Sequence, residues 1–161
     1  MTGRLSLSLL IGAIACAIAP MASAHAAEDG EAPSRHCTLS ARQVVENFIP
    51  LFYEQKDART AFMRWVAPDY IQHNPGAASG RQAAIDFLQP FFDANPGIEY
   101  TVHRVIASDG LVVVHNEARF APDAPPSAVV DIFRVENCKI VEHWDVVQQM
   151  PEKSMNDNGM F

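Results

Sequence analysis

The residues with the clearest chemical potential lie near the end of the chain, where two acidic side chains and one imidazole fall in two predicted strands. Asp131 belongs to the first strand, and His143 and Asp145 stand two residues apart in the second. Because side chains two apart on a strand share a face, His143 and Asp145 project to the same side. A type I turn with a bulge at Cys138 would place Asp131 opposite His143, and Val129 opposite Asp145, on that face. A plain two-residue turn would instead separate Asp131 from it.

This face would be an apolar wall with two carboxylates and one imidazole embedded in it, which is the composition of a ligand pocket. Burial raises the pKa of a carboxylate and a neighbouring imidazolium lowers it, so such a pair can be tuned to transfer protons near neutral pH. We therefore predict Asp131, His143 and Asp145 as catalytic residues. Two structural interpretations stay open: Asp145 could cap loop amides at a strand end, and Asp131 could form an ion pair with Arg134 and His143.

The elements that must position these residues begin with three predicted helices. The run Ser40-Ala41-Arg42-Gln43 has the form of a capping box, and apolar residues then recur at spacings of three and four. This pattern predicts an amphipathic helix that Pro50 kinks or divides. A second short helix is predicted from Asp57 until Ala67-Pro68 stops it, and a third helix over about 80–93.

From Ile98 onward the hydrophobic period changes from helical to strand-like. One predicted hairpin joins 98–107 to 111–120, and a second joins 127–135 to 140–148. Helices first and antiparallel strands afterwards indicate an α+β domain, in which N-terminal helices pack on one side of a curved sheet.

Composition and charge exclude several classes of protein. The chain has 161 residues, 48% of them apolar, which is the composition of one globular domain. Its 19 acidic residues outnumber 12 Lys plus Arg, giving a formal net charge of -7 with no basic cluster. Such a field repels phosphate backbones and acidic membrane surfaces, so we expect no nucleic-acid partner.

Residues 1–26 have the pattern of a secretory signal peptide, with Arg4 as the charge, an apolar run, and small residues at the cleavage site. The apolar run is shorter than the roughly 20 residues that a spanning helix needs, so we expect no stable membrane anchor after cleavage. Lipidation of Cys16 is a less favoured alternative. The prediction is a periplasmic or secreted protein in which residues 27–37 form a flexible lead-in.

Export would leave two cysteines in the mature chain, Cys37 and Cys138. An oxidising compartment favours the pairing of an even number of cysteines. We therefore predict a disulfide that ties the N-terminal arm to a late turn, with two unpaired thiols as the alternative.

Four runs of the mature chain carry a family pattern. They are Tyr70-Ile71-Gln72-His73-Asn74-Pro75 followed by Gly80-Arg81, Val130-Asp131-Ile132-Phe133-Arg134, Lys139-Ile140-Val141-Glu142-His143-Trp144-Asp145, and Asn158-x-Met160-Phe161. Together they resemble the SnoaL-like polyketide cyclase family of the nuclear transport factor 2-like superfamily. The resemblance implies a domain over 38–161 with a cone-shaped fold, in which helices and a strongly curved, mainly antiparallel sheet enclose one pocket, commonly in a homodimer.

The resemblance also implies a chemistry. Cyclases of that family close rings by an aldol-type reaction without metal or cofactor, and a strand aspartate at the position of Asp145 is their general acid/base. We therefore expect no cofactor. His143 and Asp145 could serve as metal ligands, with Asp131 or His73 as a third, but we expect no metal there. The expected partner is an apolar, carbonyl-bearing small molecule.

Six further side chains are predicted to contact that molecule: His73, Tyr70, Trp65, His115, Phe133 and Trp144. His73 could equally hydrogen-bond a turn, and Tyr70 and the two tryptophans could belong to the core. The predicted function is cyclase, lyase or isomerase chemistry by an aspartate general acid/base. The alternatives are a non-catalytic periplasmic binding module for a hydrophobic molecule and an assembly domain that dimerises through its sheet.

Overall fold

The computed structural model describes residues 37–161. The predicted signal peptide, and the lead-in up to residue 36, lie outside the described residues. The elements in chain order are α1 (Ala41–Ile49), a π-helical turn (Pro50–Glu54), α2 (Ala58–Trp65), β1 (Val66–Gln72), α3 (Arg81–Ala94), β2 (Glu99–Ser108), β3 (Leu111–Arg119), β4 (Ser127–Glu136) and β5 (Lys139–Gln149).

The strands form one sheet in the order β1-β5-β4-β3-β2. Strand β1 runs parallel to β5, and the other neighbours are antiparallel. The three helices precede the antiparallel strands in sequence and pack on the sheet. The predicted α+β fold is therefore confirmed.

Helix α1 begins where its capping box predicts. The Ser40 hydroxyl accepts a hydrogen bond from the Gln43 backbone N–H, and the Gln43 side chain accepts one from the Ser40 N–H at 2.9 Å. Pro50 has no N–H to continue the α-helical ladder, and the chain goes on as a π-helical turn through Glu54. This turn contains Tyr53, which is buried. The prediction that Pro50 divides the helix is confirmed.

Helix α2 is capped by the Asp57 carboxylate, which accepts a hydrogen bond from the Thr60 N–H at 2.8 Å. The helix ends at Trp65, one residue earlier than predicted, and Ala67-Pro68 lies inside β1. A proline is tolerated there because β1 is an edge strand whose pairing with β5 is irregular between Val66 and Ile71.

The turn of the last hairpin differs from the prediction. Asn137 and Cys138 both have positive φ, 47° and 57°, in a two-residue turn between Glu136 and Lys139. This is the geometry of a type I′ turn rather than of a type I turn with a bulge. The predicted pairing of Asp131 with His143 is therefore wrong.

The observed register places Asp131 opposite Asp145 and Phe133 opposite His143. The predicted shared face nevertheless survives, because β5 carries one extra residue, Val141, between the residues paired with Val135 and Arg134. This bulge reverses the parity that the two-residue turn would impose. Ile140 consequently packs in the buried core.

A disulfide joins Cys37 to Cys138, with Cα atoms 5.8 Å apart and a sequence separation of 101. The distance lies in the usual range for a bridge. The predicted pairing is confirmed, and it fixes the start of the described chain to the turn between β4 and β5.

The core lies between the helices and one face of the sheet. At its centre, the buried ring of Phe48 contacts Phe52, Phe62 and Phe133, with centroid separations of 5.1 to 5.7 Å. Aromatic residues thus supply the core next to the wall formed by β4. Within 37–161 no helix combines the length and the hydropathy needed to cross a membrane.

Candidate functional site

A cavity of about 310 Å³ opens between the helices and the sheet face that carries Asp131, His143 and Asp145. Its volume falls at the lower end of the range of small-molecule sites. The wall is mainly aromatic, with ten phenylalanine and tyrosine side chains: Phe48, Phe52, Tyr53, Phe62, Tyr70, Phe87, Phe91, Tyr100, Phe120 and Phe133. Apolar surface therefore dominates, and a few polar groups converge at one end.

The Asp131 carboxylate is held by three donors. Its Oδ2 accepts hydrogen bonds from the Tyr53 hydroxyl at 2.7 Å and from Asn116 Nδ2 at 2.9 Å, and its Oδ1 lies 3.0 Å from His143 Nε2. All four side chains are buried. A buried carboxylate needs such partners, because an unpaired charge is costly inside a protein. These three contacts therefore fix the position of the Asp131 carboxylate.

His143 sits between two acceptors. Its Nε2 faces Asp131, and its Nδ1 lies 3.0 Å from Gln72 Oε1. Two further hydrogen bonds set the orientation of the Gln72 amide: Oε1 accepts from the Asn74 N–H, and Nε2 donates to the Tyr70 hydroxyl. Both contacts of the imidazole are satisfied together only when both ring nitrogens carry protons. The ring also stacks on Phe133.

Asp145 is held differently. Its two oxygens accept hydrogen bonds from a single group, Asn74 Nδ2, at 2.9 and 2.7 Å. The Asn74 amide is oriented by Gly76, whose N–H donates to Asn74 Oδ1 at 2.8 Å. Asp145 is half-buried, lines the cavity, and forms no salt bridge to any residue in 37–161. It is the carboxylate of the cluster with free acceptor capacity.

Three tyrosines of the cavity stay protonated. Burial, and then the nearby Asp131 charge, raises the pKa of Tyr53, Tyr70 and Tyr100. The Tyr53 proton is engaged by Asp131. The Tyr70 oxygen accepts from Gln72, which leaves its own O–H free to donate. Tyr70 is thus a neutral hydrogen-bond donor in the cavity.

Asp131, His143 and Asp145 each offer one potential metal ligand, and these atoms lie within 4.8 Å of one another. The set has the chemistry of a carboxylate–imidazole site. A metal ion there would have to displace the proton between His143 Nε2 and Asp131. The expectations of no metal and no cofactor stay predictions.

The structure brings five of the predicted site residues together. Asp131, His143, Asp145, Tyr70 and Phe133 all line the cavity. They lie at alternate positions of β1, β4 and β5, and alternate side chains of a strand point to the same face of the sheet. Here that face is the one covered by the helices.

Four predicted contact residues lie outside the cavity lining, contrary to their expected placement. His73 bonds Glu142 at 2.6 Å and stacks on Trp144, so both aromatic rings belong to the opposite face of β5. Trp65 packs against the core, and its Nε1 has no partner in the described part of the chain. His115 lies 2.8 Å from Arg104 Nη1, and desolvation, then Arg104, lowers its pKa.

Sequence reasoning missed Tyr53, Gln72, Asn74 and Asn116. A signal existed for two of them, because Tyr70, Gln72 and Asn74 alternate along and just beyond β1 and so share the inward face. Tyr53 and Asn116 reach Asp131 only through tertiary packing. The Asn116 Oδ1 atom is buried and has no partner within 37–161.

Comparison with known proteins gives both a family and a fold. Residues 45–143 match the model of the SnoaL-like domain family. TsrD from Streptomyces laurentii has a similar structure, with 18% identity, a TM-score of 0.54, and coverage of 65% of this chain and 85% of that one. A candidate SnoaL-like polyketide cyclase from Jannaschia sp. CCS1 has 18% identity, a TM-score of 0.55, and coverage of 69% and 90%.

An NTF2-like protein of unknown function from Cytophaga hutchinsonii has 13% identity, a TM-score of 0.57, and coverage of 70% of this chain and 93% of that one. At such identities the likeness concerns the fold alone. A search of curated proteins finds no match to the sequence.

Proposed function

Because this chain belongs to the SnoaL-like domain family, we propose that its pocket catalyses cofactor-free aldol-type, lyase or isomerase chemistry on an apolar, carbonyl-bearing small molecule. Asp145 is the general acid/base. The observation that carries this assignment is the contrast between the two carboxylates: Asp131 is occupied by three donors, whereas Asp145 faces the cavity with one amide partner.

The proposed reaction begins when Asp145 removes a proton from the carbon next to a substrate carbonyl. The enolate oxygen then needs a donor, and Tyr70 supplies one because its O–H is free and burial keeps it protonated. His143 is less suited to this role, since both of its ring nitrogens already contact acceptors. In an aldol-type closure the enolate carbon adds to a second carbonyl carbon, whose C=O π bond opens to an alkoxide, and protonated Asp145 gives its proton to that alkoxide. A lyase reaction is the reverse sequence, and an isomerase reaction returns the proton to another carbon of the enolate.

Asn74 has a positioning role in this scheme. Its amide holds both Asp145 oxygens, and Gly76 fixes the amide in turn. A general base must be oriented before the substrate arrives, because misplacement of a reacting group slows the reaction steeply.

A non-catalytic binding module for a hydrophobic molecule is the second candidate. The occupation of both Asp145 oxygens by Asn74 favours it, since a carboxylate that only shapes the cavity would be held in this way. The aromatic wall serves either function.

The setting of the proposed function is outside the cytoplasm. We infer export by a cleaved signal peptide over 1–26 to the periplasm or the medium, without a remaining membrane anchor, and action as a homodimer without nucleic acid. The Cys37–Cys138 disulfide supports an oxidising compartment.

The test measures enolisation directly. Exchange of the methyl protons of 2-acetylnaphthalene in D₂O is followed by NMR with the wild type, Asp145→Asn, and Asp86→Asn, a surface carboxylate on α3. We expect the wild type and Asp86→Asn to accelerate exchange equally. Asp145→Asn should exchange the protons about 10² to 10⁴-fold more slowly than the wild type. Equal exchange in Asp145→Asn and the wild type would refute the catalytic role. Binding of the ketone without any exchange would favour the binding module.

A further inference from the structure

The charges of the cavity do not balance. Among the residues that line it there are two carboxylates, Asp131 and Asp145, one imidazole, His143, and no lysine or arginine. His143 is the only basic side chain among them, and its Nε2 lies 3.0 Å from Asp131 Oδ1, so at most one of the two carboxylates has a cationic partner. Asp145 is left as a single negative charge whose partner is a neutral amide.

The location of Asp145 makes its unpaired charge energetically more unfavourable. Asp145 lies directly opposite Asp131 across β4 and β5, and like charges in opposed positions repel. It is also half-buried beside an aromatic wall, where water screens it less than it does a surface group. A cation brought into the cavity would relieve both costs.

The wall itself favours a cation with an apolar body. Aromatic faces attract ammonium groups through their electron-rich rings, and ten of the lining side chains are phenylalanine or tyrosine. The mouth is apolar too, since Phe87, Phe120 and Val147 line the cavity and are 56%, 36% and 51% exposed. A ligand can therefore enter with its hydrophobic part in contact with the protein.

We propose that the cavity selects ligands by the sign of their charge: it binds amphipathic aromatic amines through the Asp145 carboxylate, and it excludes carboxylates of the same shape. The inference rests on the proposed function, because both use Asp145. An ammonium group at Asp145 occupies the proton acceptor, so an amine binds as a competitive inhibitor and not as a substrate of the proposed reaction.

The experiment uses three probes with one ring system. The dissociation constants of 2-naphthylmethylammonium, 2-acetylnaphthalene and 2-naphthoate are measured by calorimetry at pH 7 with the mature protein. We expect the ammonium to bind most tightly, the ketone next, and the carboxylate at least about tenfold more weakly than the ammonium. Asp145→Asn should weaken the ammonium about tenfold and leave the ketone within about threefold of the wild type. Asp86→Asn should leave all three affinities unchanged.

Carboxylate binding as tight as ammonium binding would overturn the inference, and so would the absence of binding by all three probes. Ammonium binding that survives Asp145→Asn unchanged would overturn it as well. The order of the three probes on the wild type tests the inference even if the variant does not fold. If the three probes bind in the expected order but the protein does not accelerate exchange of the 2-acetylnaphthalene methyl protons, only the proposed catalysis is refuted. If exchange is accelerated but the probes do not bind in that order, only the charge selection is refuted.

Discussion

The Cys37–Cys138 disulfide closes a loop that contains most of the domain. Its two ends are 101 residues apart in sequence, and Cys138 forms the turn of the hairpin that carries Asp131, His143 and Asp145. Replacing both cysteines with serine removes the cross-link and leaves no reactive thiol in the folded region. The folded structure keeps its contacts, so the main effect falls on the unfolded chain.

The size of the effect follows from the loop length. In the chain-entropy model, a cross-link that closes a loop of about 100 residues stabilises the fold by about 4.7 kcal/mol at 25 °C. Unfolding a domain of about 125 residues carries an entropy of about 0.26 kcal/mol/K, from about 2.1 cal/mol/K per residue. The Cys37→Ser/Cys138→Ser variant should therefore unfold at a temperature lower by about 15 to 20 °C.

The assay is thermal and urea unfolding followed by circular dichroism, with the wild type measured both oxidised and after reduction. Reduced wild type and the double serine variant should coincide, because both lack the cross-link and share the same remaining contacts. A double variant whose free energy of unfolding stays within about 1 kcal/mol of the oxidised wild type would refute the argument that loop closure governs this domain.

Two other perturbations test the hydrogen bonds around the site. Tyr53→Phe removes a donor from the buried Asp131 carboxylate and should lower the free energy of unfolding by about 1.5 to 3 kcal/mol in urea titrations; no loss would contradict the contact. Hydrogen bonds from His73 and then Arg134 hold the pKa of Glu142 below its ordinary value. Its contribution to stability is fully present above the ordinary pKa of a glutamate and is lost as the pH falls through the lowered pKa. Glu142→Gln should therefore destabilise at pH 7 and have less effect near pH 3; an equal effect at both would contradict it.

Much of the fold follows from local patterns in the sequence. The capping box at Ser40 and the carboxylate of Asp57 mark helix starts through local hydrogen bonds, and Pro50 ends the α-helical ladder because it has no N–H. The two-residue turn at Asp109-Gly110, with φ of 50° and 79°, is likewise predictable, because Asp-Gly is a favoured pair for such turns. Such features need only neighbouring atoms, and they are predictable for that reason.

The site was only partly predictable, and strand parity separates the successes from the errors. Once His143 and Asp145 face inward, Trp144 between them must face outward, and the same rule excludes His73 from a face that holds Gln72 and Asn74. These two errors could have been avoided. The Tyr53 contact with Asp131 could not, since it joins residues 78 apart through packing of a helical turn on the sheet.

The extra residue at Val141 has a consequence for comparing this chain with its relatives. Because β5 carries this extra residue, an alignment that omits the gap for a relative without it would set that relative's aspartate against Trp144 instead of Asp145. A relative could then seem to lack the carboxylate while holding it in space. Conversely, a natural deletion of Val141 would remove the bulge and still leave Asp145 opposite Asp131, because Ile140 already pairs with Val135 and Glu142 with Arg134. Hairpins of different length can therefore hold the same carboxylate at the same place in the cavity.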